Sequence, residues 1–281
     1  ANNVETLEHV DHYFGADPDW SWARHEVAHL IGEGLQRDAI PVDLGKAVWE
    51  ALAPLTEDED PRADRETPDK EKLNPSALSI NSVRGEALHT VIRYALWRRR
   101  HLEKSSVEDV GRGFDAMPEV RSVLEAHLRP EHDPSPAIRS VYGQWFPWLA
   151  MLDEKWTKAR INTIFPTEVD DPRLCAAAWE TYVILAPCYP GVFELLRDVY
   201  AWAVDRLGTA PVYESPDDAH RCLAEHLMIA YGRGQIRLRD DIMKRFWSGG
   251  TQEIRQHAMG FVGRSLGKEA DRITADTASR L

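Results

Sequence analysis

VFELLRDVYAWAVDRL, residues 192–207, decides how the rest of the chain is read. Val192, Leu195, Leu196, Val199, Tyr200, Ala203, Val204 and Leu207 recur at the i, i+3, i+4, i+7 spacing that lays one apolar stripe along a helix. The stripe predicts a single helix of about four turns, ended by Gly208. Three further stripes repeat the pattern. Val83, Ala87, Leu88, Val91, Ile92, Ala95 and Leu96 form one, with Ser79 and Asn81 ahead of it as caps. Val120, Val123, Leu124 and Leu128 form another, and Ile254, Ala258, Phe261, Val262 and Leu266 the last.

Strand patterns are nearly absent. Only residues 235–238 and 210–213 read as extended, and both are too short to build a sheet. The segments PEVRSV (118–123) and PAIRSV (136–141) share a helix-opening grammar, echoed at Val83-Arg84 and Ile254-Arg255. Proline suits a first turn whose N–H has no partner, and the following pair puts one apolar residue inward and one arginine toward a neighbouring acid. Paired helices opened this way are a habit of HEAT-type arrays with a period of about 40–47 residues. The arginine spacings here are irregular. The expected fold is therefore all-α: a HEAT/armadillo-like helical repeat array, an α-α superhelix with irregular repeats, running as a single domain over residues 1–281.

Composition agrees with a folded chain. Of 281 residues 43% are hydrophobic, with 10 Trp, 8 Tyr and 7 Phe, too rich in core-formers for a disordered segment. The net charge is −12, from 46 acids against 34 bases. That balance argues against a general nucleic-acid binder, which needs clustered cations to displace counterions. No apolar run reaches the roughly 20 residues of a membrane span. Three cysteines, Cys175, Cys188 and Cys222, form no C-x-x-C pair; they read as small buried hydrophobes in a reducing cytoplasm. The chain begins Ala-Asn-Asn-Val, with no initiator Met and no leader pattern, so it is expected to be a piece of a longer protein.

Three breaks punctuate the helices. TEDEDPRADRETPDKEK, residues 56–72, holds eight acids and four bases and reads as a solvated acidic loop. FPTEVDDP (165–172) and GTAPVYESPDD (208–218) use Pro and Asp as turns and helix starts do.

Two motifs have chemical meaning. His25-Glu-Val-Ala-His29 is an H-E-x-x-H, whose spacing sets two imidazoles on one helix face for Zn²⁺, with Glu26 as general base toward a metal-bound water. It resembles the zincin peptidase motif, and Glu50 lies where a following helix would supply a third ligand. No strand pattern precedes it, however, where zincins place a small sheet. Arg84-Gly-Glu-Ala-Leu-His89 is similar to the R-x4-H of HEPN ribonucleases, in which Arg holds a phosphate and His moves a proton. The plainer reading pairs Arg84 with an acid on a neighbouring helix and sets His89 at the core margin. The Arg98-Arg99-Arg100 run reads as a helix end complementing the dipole. QWFPWLAMLDEKW (144–156) reads either as an aromatic recognition groove or as filling between helices. No phosphate-binding glycine loop or nucleophile elbow occurs.

SINSVRGEALHTVIRYALW (79–97), AIRSVYGQWFPWLAMLDEKW (137–156) followed by INTIFP (161–166), LAEHLMIAYGRGQI (223–236) and IRQHAMGFVGRSL (254–266) resemble recurrent segments of very large bacterial proteins. Those proteins are similar to STAND/NACHT-type NTPases, some associated with phage defence, and the segments belong to their long helical C-terminal regions. The likeness runs through most of residues 20–267. It implies a sensor or scaffold array that meets a protein partner or an upstream NTPase domain, with catalysis elsewhere, and it brings no catalytic residue across.

The resulting expectation is a non-catalytic recognition or regulatory domain with no catalytic residue, cofactor or resident metal of its own. Its partner is a protein, and its acidic excess favours a basic or mixed-charge one. The alternatives are a zinc metallopeptidase on His25, Glu26 and His29, and an HEPN-like ribonuclease on Arg84 and His89.

Overall fold

A computed structural model describes residues 20–66, 74–105, 110–169, 171–210, 212–213 and 218–268. The protein is all-helical: the described residues carry thirteen α-helices and no strand. Residues 235–238 form a turn, and no strand forms at 210, 212 and 213. No described helix is long and apolar enough to cross a membrane. The chain divides into two compact units, Ala1–Lys70 with Ser76–Val141, and Glu71–Pro75 with Tyr142–Leu281. The second division falls inside a helix, where no change of composition marks it.

The first unit contains α1 (Ser21–Gln36), α2 (Gly45–Leu52), α3 (Pro75–Ile80, from Ser76 on), α4 (Val83–Ser105), α5 (Pro118–His127) and the start of α6 (Pro136–Leu152). Proline opens α3, α5 and α6, as the missing N–H allows. At the centre is α4: Val83, Ala87, Leu88, Val91, Ile92 and Ala95 are fully buried, as the stripe predicts. Leu96 is only half-buried, and Tyr94 and Trp97 take core positions beside it. Helix α1 packs on α4 through Ala28, Gly32 and Leu35. The approach is close enough that a Cβ on Gly32 would meet Thr90 Oγ1 at 2.6 Å, and the Thr90 hydroxyl donates to the Ala28 carbonyl at 3.0 Å.

The cap of α4 differs from expectation. Ser79 lies in α3, its hydroxyl donating to Ser76 O at 2.8 Å, and Asn81 donates to Ala77 O at 2.7 Å. The Asp60 carboxylate takes the Val83 amide instead, at 2.9 Å. The first half of the acidic stretch is thus built into the unit rather than solvated. Thr56 and Pro61 are buried, Arg24 pairs with Asp58 at 2.6 Å, and Glu66 Oε1 accepts from Ser135 Oγ at 2.8 Å and the Ala137 amide at 3.0 Å, closing the N-terminus of α6. Residues 67–72 lie outside the described residues.

The second unit holds the rest of α6, then α7 (Glu154–Ile164), α8 (Arg173–Leu185), α9 (Pro190–Leu195), α10 (Arg197–Val204), α11 (Ala219–Gly232), α12 (Asp241–Gly249) and α13 (Gln252–Lys268). Asp153 caps α7 through the Trp156 amide at 2.9 Å, and Asp218 caps α11 through the His220 amide at 2.8 Å. The 192–207 stripe is helical but not one helix. It breaks at Leu196, whose φ of −98° and ψ of 14° leave the α region, and Gly208 follows with φ +87°. The apolar phase survives the break, so Val192, Leu196, Val199, Tyr200, Ala203, Val204 and Leu207 are all buried. Of the last stripe Ile254 and Ala258 are buried, and Phe261 and Val262 half-buried.

Candidate functional site

An open groove of 840 Å³ lies in the second unit among α6, α7, α9 and α10. Its walls follow from helix periodicity. Along residues 144–156, Phe146, Leu149, Leu152 and Trp156 turn into the core, while Trp148 and Met151 are 46% and 43% exposed. Pro147, Ala150 and Met151 form one side of the groove, and Glu154, Lys158 and Asn162 of α7 continue it. Tyr189, Leu195 and Asp198 face them from the other side, together with Glu194. The aromatic segment therefore serves both readings made from its sequence, one face packed and the other open.

The wall around α9 is tied down. Gln235 donates to the Pro190 carbonyl at 3.0 Å, and Arg233 donates to the Cys188 carbonyl. Arg197 forks onto Glu194, 2.8 Å from each oxygen, and lies over the Phe193 ring at 5.6 Å. Among the described lining residues Glu154, Glu194 and Asp198 face one lysine, Lys158, and Glu194 is already paired with Arg197.

Beneath it runs a buried polar chain. Tyr182 and Tyr200 hydroxyls are 3.0 Å apart, and Tyr200 Oη lies 2.7 Å from His226 Nδ1. His226 is also bonded to the Ala186 backbone, so its other nitrogen donates to that carbonyl and Nδ1 accepts from Tyr200. Burial is the main cause that drives His226 down to about 4 and raises both tyrosines. The His226 ring lies 6.0 Å from each tyrosine ring, and Phe146, Phe165, Trp179 and Phe193 pack around those tyrosines in edge and tilted contacts at 4.6–6.4 Å. The chain aligns α8, α10 and α11.

The motif residues lie in the first unit. His25 and His29 stack, with ring centroids 6.3 Å apart and planes 6° apart. His25 Nε2 donates to the Ile80 carbonyl at 2.9 Å, and His29 Nδ1 lies 3.2 Å from the buried Glu86, which also takes Arg93 at 2.7 Å. Glu26 stands 3.5 Å from His25, and Glu50 pairs with Lys46 on its own helix at 3.6 Å. Both histidines are thus engaged with α3 and α4. Arg84 donates to the Asp58 and Pro61 carbonyls and faces Asp133 at 3.2 Å. His89 is 1% exposed and donates to Ser79 Oγ at 3.0 Å, since that hydroxyl is given to Ser76. Its burial, with Arg93 adding to it, drives His89 down to about 3. Arg100 of the arginine run donates to Leu35 O at 2.6 Å, closing the C-terminal end of α1. Cys175 and Cys188 are buried, while Cys222 is half-buried, and none of the three is in a disulfide.

One constellation was not read from the sequence: Glu57, His127 and His132, whose donor atoms all lie within 4.8 Å of one another. His127 closes α5 and His132 sits five residues on, past the helix end, a spacing that no helical motif covers. The signal available was the density of the run His127 to Asp133, with two imidazoles and two acids in seven residues. No family model matches the chain, and no curated protein or solved structure does.

Proposed function

We propose that the chain is a non-catalytic, HEAT-like recognition or regulatory module that holds a basic, partly apolar segment of a protein partner in the α6/α7/α9/α10 groove. The observation that carries this is the groove lining: Met151, Tyr189 and Leu195 offer apolar surface, and Glu154 and Asp198 outnumber Lys158, with Glu194 already paired to Arg197. A net charge of −12 steers such a partner inward. The likeness of residues 20–267 to C-terminal regions of STAND/NACHT-type NTPases supports the same reading and suggests an NTPase domain, in the same or another chain, as the source of that segment. A cytoplasmic setting fits three cysteines that form no disulfide. The peptidase and ribonuclease alternatives draw no support from a His25/His29 pair bonded to α3 and α4, or from an enclosed His89.

Fluorescence anisotropy with a labelled lysine/leucine-rich amphipathic peptide tests the proposal. The protein binds it with an affinity that falls with salt, and Glu154→Lys with Asp198→Lys weakens binding at least about tenfold. Reversal of two exposed acids of the other unit, Asp43→Lys with Glu50→Lys, leaves it within about twofold. Equal losses in both double variants would show only a diffuse acidic surface and overturn the groove.

A further inference from the structure

We infer that Glu57, His127 and His132 form a binding site for a first-row divalent cation, zinc foremost, in the first unit. His127 carries the argument. It is 1% exposed, and its Nδ1 is 2.8 Å from Asp133 Oδ2, itself 3% exposed. A carboxylate there accepts a hydrogen bond from Nδ1–H, the tautomer that leaves a lone pair at Nε2 for a metal. That nitrogen is buried with no hydrogen-bond partner. What it faces is another acceptor, Glu57 Oε1 at 3.5 Å, while His132 Nε2 stands 3.3 Å from Glu57 Oε2. Two lone pairs held against one carboxylate at these separations repel unless a proton or a metal cation lies between them, and a metal satisfies all three groups at once.

The distances suit a metal. Ligands about 2.0–2.1 Å from zinc at the tetrahedral angle are about 3.3 Å apart. The two nitrogen-to-oxygen separations, 3.3 and 3.5 Å, one to each Glu57 oxygen, are of that length and longer than good hydrogen bonds, and all the donor atoms lie within 4.8 Å of one another. Two imidazoles and a carboxylate are a donor set that zinc, cobalt and nickel share and that calcium and magnesium do not favour. The outer shell is also in place. The Asp133–His127 pair is the carboxylate–histidine arrangement that fixes the tautomer of a metal-bound imidazole, and Arg84 Nε, 3.2 Å from Asp133 Oδ2, balances the buried carboxylate. Access is open, because the Glu57 and His132 side chains are 57% and 35% exposed, which leaves solvent the fourth position. The bound ion would clip the 3-10 turn Ala53–Glu57 to the end of α5.

The full chain, stripped with a chelator and titrated with ZnCl₂ and separately with CoCl₂, tests this. One zinc per chain is expected, with visible cobalt bands of four-coordinate character and a rise in melting temperature on zinc addition. His132→Ala and Glu57→Gln, both on exposed side chains and checked for unchanged helix content by circular dichroism, weaken zinc binding by more than about 10–100-fold. The double variant His25→Ala/His29→Ala retains it. Absence of stoichiometric uptake leaves a His–Glu ion pair only and overturns the site. Uptake that survives both ligand variants, or that is lost with His25 and His29 instead, does so equally.

Discussion

The Asp60 carboxylate holds the first amide of the helix that begins at Val83, 2.9 Å from Oδ2 to nitrogen, while its own carbonyl takes the Arg84 amide at 2.8 Å. One residue thus satisfies two donors that the first turn of a helix leaves unpaired. Asp60→Ala should lower stability by about 1–2 kcal/mol, and Asp60→Asn, which keeps an acceptor, by less. Chemical denaturation followed by circular dichroism measures this; an unchanged midpoint for the alanine variant would mean that water replaces the cap.

Two glycines mark where backbones touch. A Cβ on Gly85 would stand 2.1 Å from the Ser79 carbonyl oxygen, and one on Gly143 2.0 Å from that of Ala178. Neither contact is with a side chain that can swing away. Glycine to alanine inside a helix ordinarily gains up to about 1 kcal/mol. Here each change should cost about 2 kcal/mol or more by overpacking. Gly263→Ala, with nothing within 4 Å, should show the ordinary gain. Thermal melts of the three variants give the comparison, and a Gly143→Ala protein as stable as the parent would refute the close approach.

Burial holds His89 down to about 3 and His226 down to about 4, against an ordinary 6.5. Below pH 6.5 the unfolded chain binds protons that the folded one refuses, so stability falls as pH drops toward 4. The slope is at most about 1.4 kcal/mol per pH unit for each histidine. His89→Gln should flatten the curve between pH 6.5 and 4, as read from urea midpoints across a pH series. An unaltered slope would mean that His89 titrates alike in both states.

Glu180 works in the opposite direction. Burial raises it to about 7 from 4.5, although the Val212 and Tyr213 amides bond to its carboxylate. The folded state therefore holds a proton that the unfolded chain has released, and stability falls as pH rises from about 4.5 to 7. Glu180→Gln removes that fall and should raise stability at pH 8 by up to about 3 kcal/mol relative to the parent, with little difference at pH 4. A gain that is equal at both pH values would assign the effect to packing rather than to charge.

What could be read from the sequence was local. The 83–95 stripe, the prolines opening α5 and α6, and the aspartates heading α7 and α11 are short-range patterns, and periodicity or capping chemistry states them directly. The break at Leu196 is not of that kind: no Gly or Pro stands there, and the apolar phase continues across it, so composition alone draws one helix where there are two. The acidic stretch misled for a different reason. Its carboxylates meet amides at Val83 and Ala137, far along the chain, and a run of charge looks the same whether it faces water or helix ends. The groove was half legible, because alternate residues of 144–156 differ in burial with helical period. The Glu57, His127 and His132 group was not, since it is assembled across seventy residues and a helix terminus.

The two caps supplied by residues 56–66 close loops of very different length. Bringing Asp60 to Val83 closes a segment of 23 residues, and bringing Glu66 to Ala137 closes one of 71. Closure entropy grows as three halves of RT ln n, so the longer loop costs about 1 kcal/mol more. The contact at α6 is therefore the costlier of the two to close from an open chain. A stretch that looks like surface charge thus ties the starts of two distant helices to one short segment.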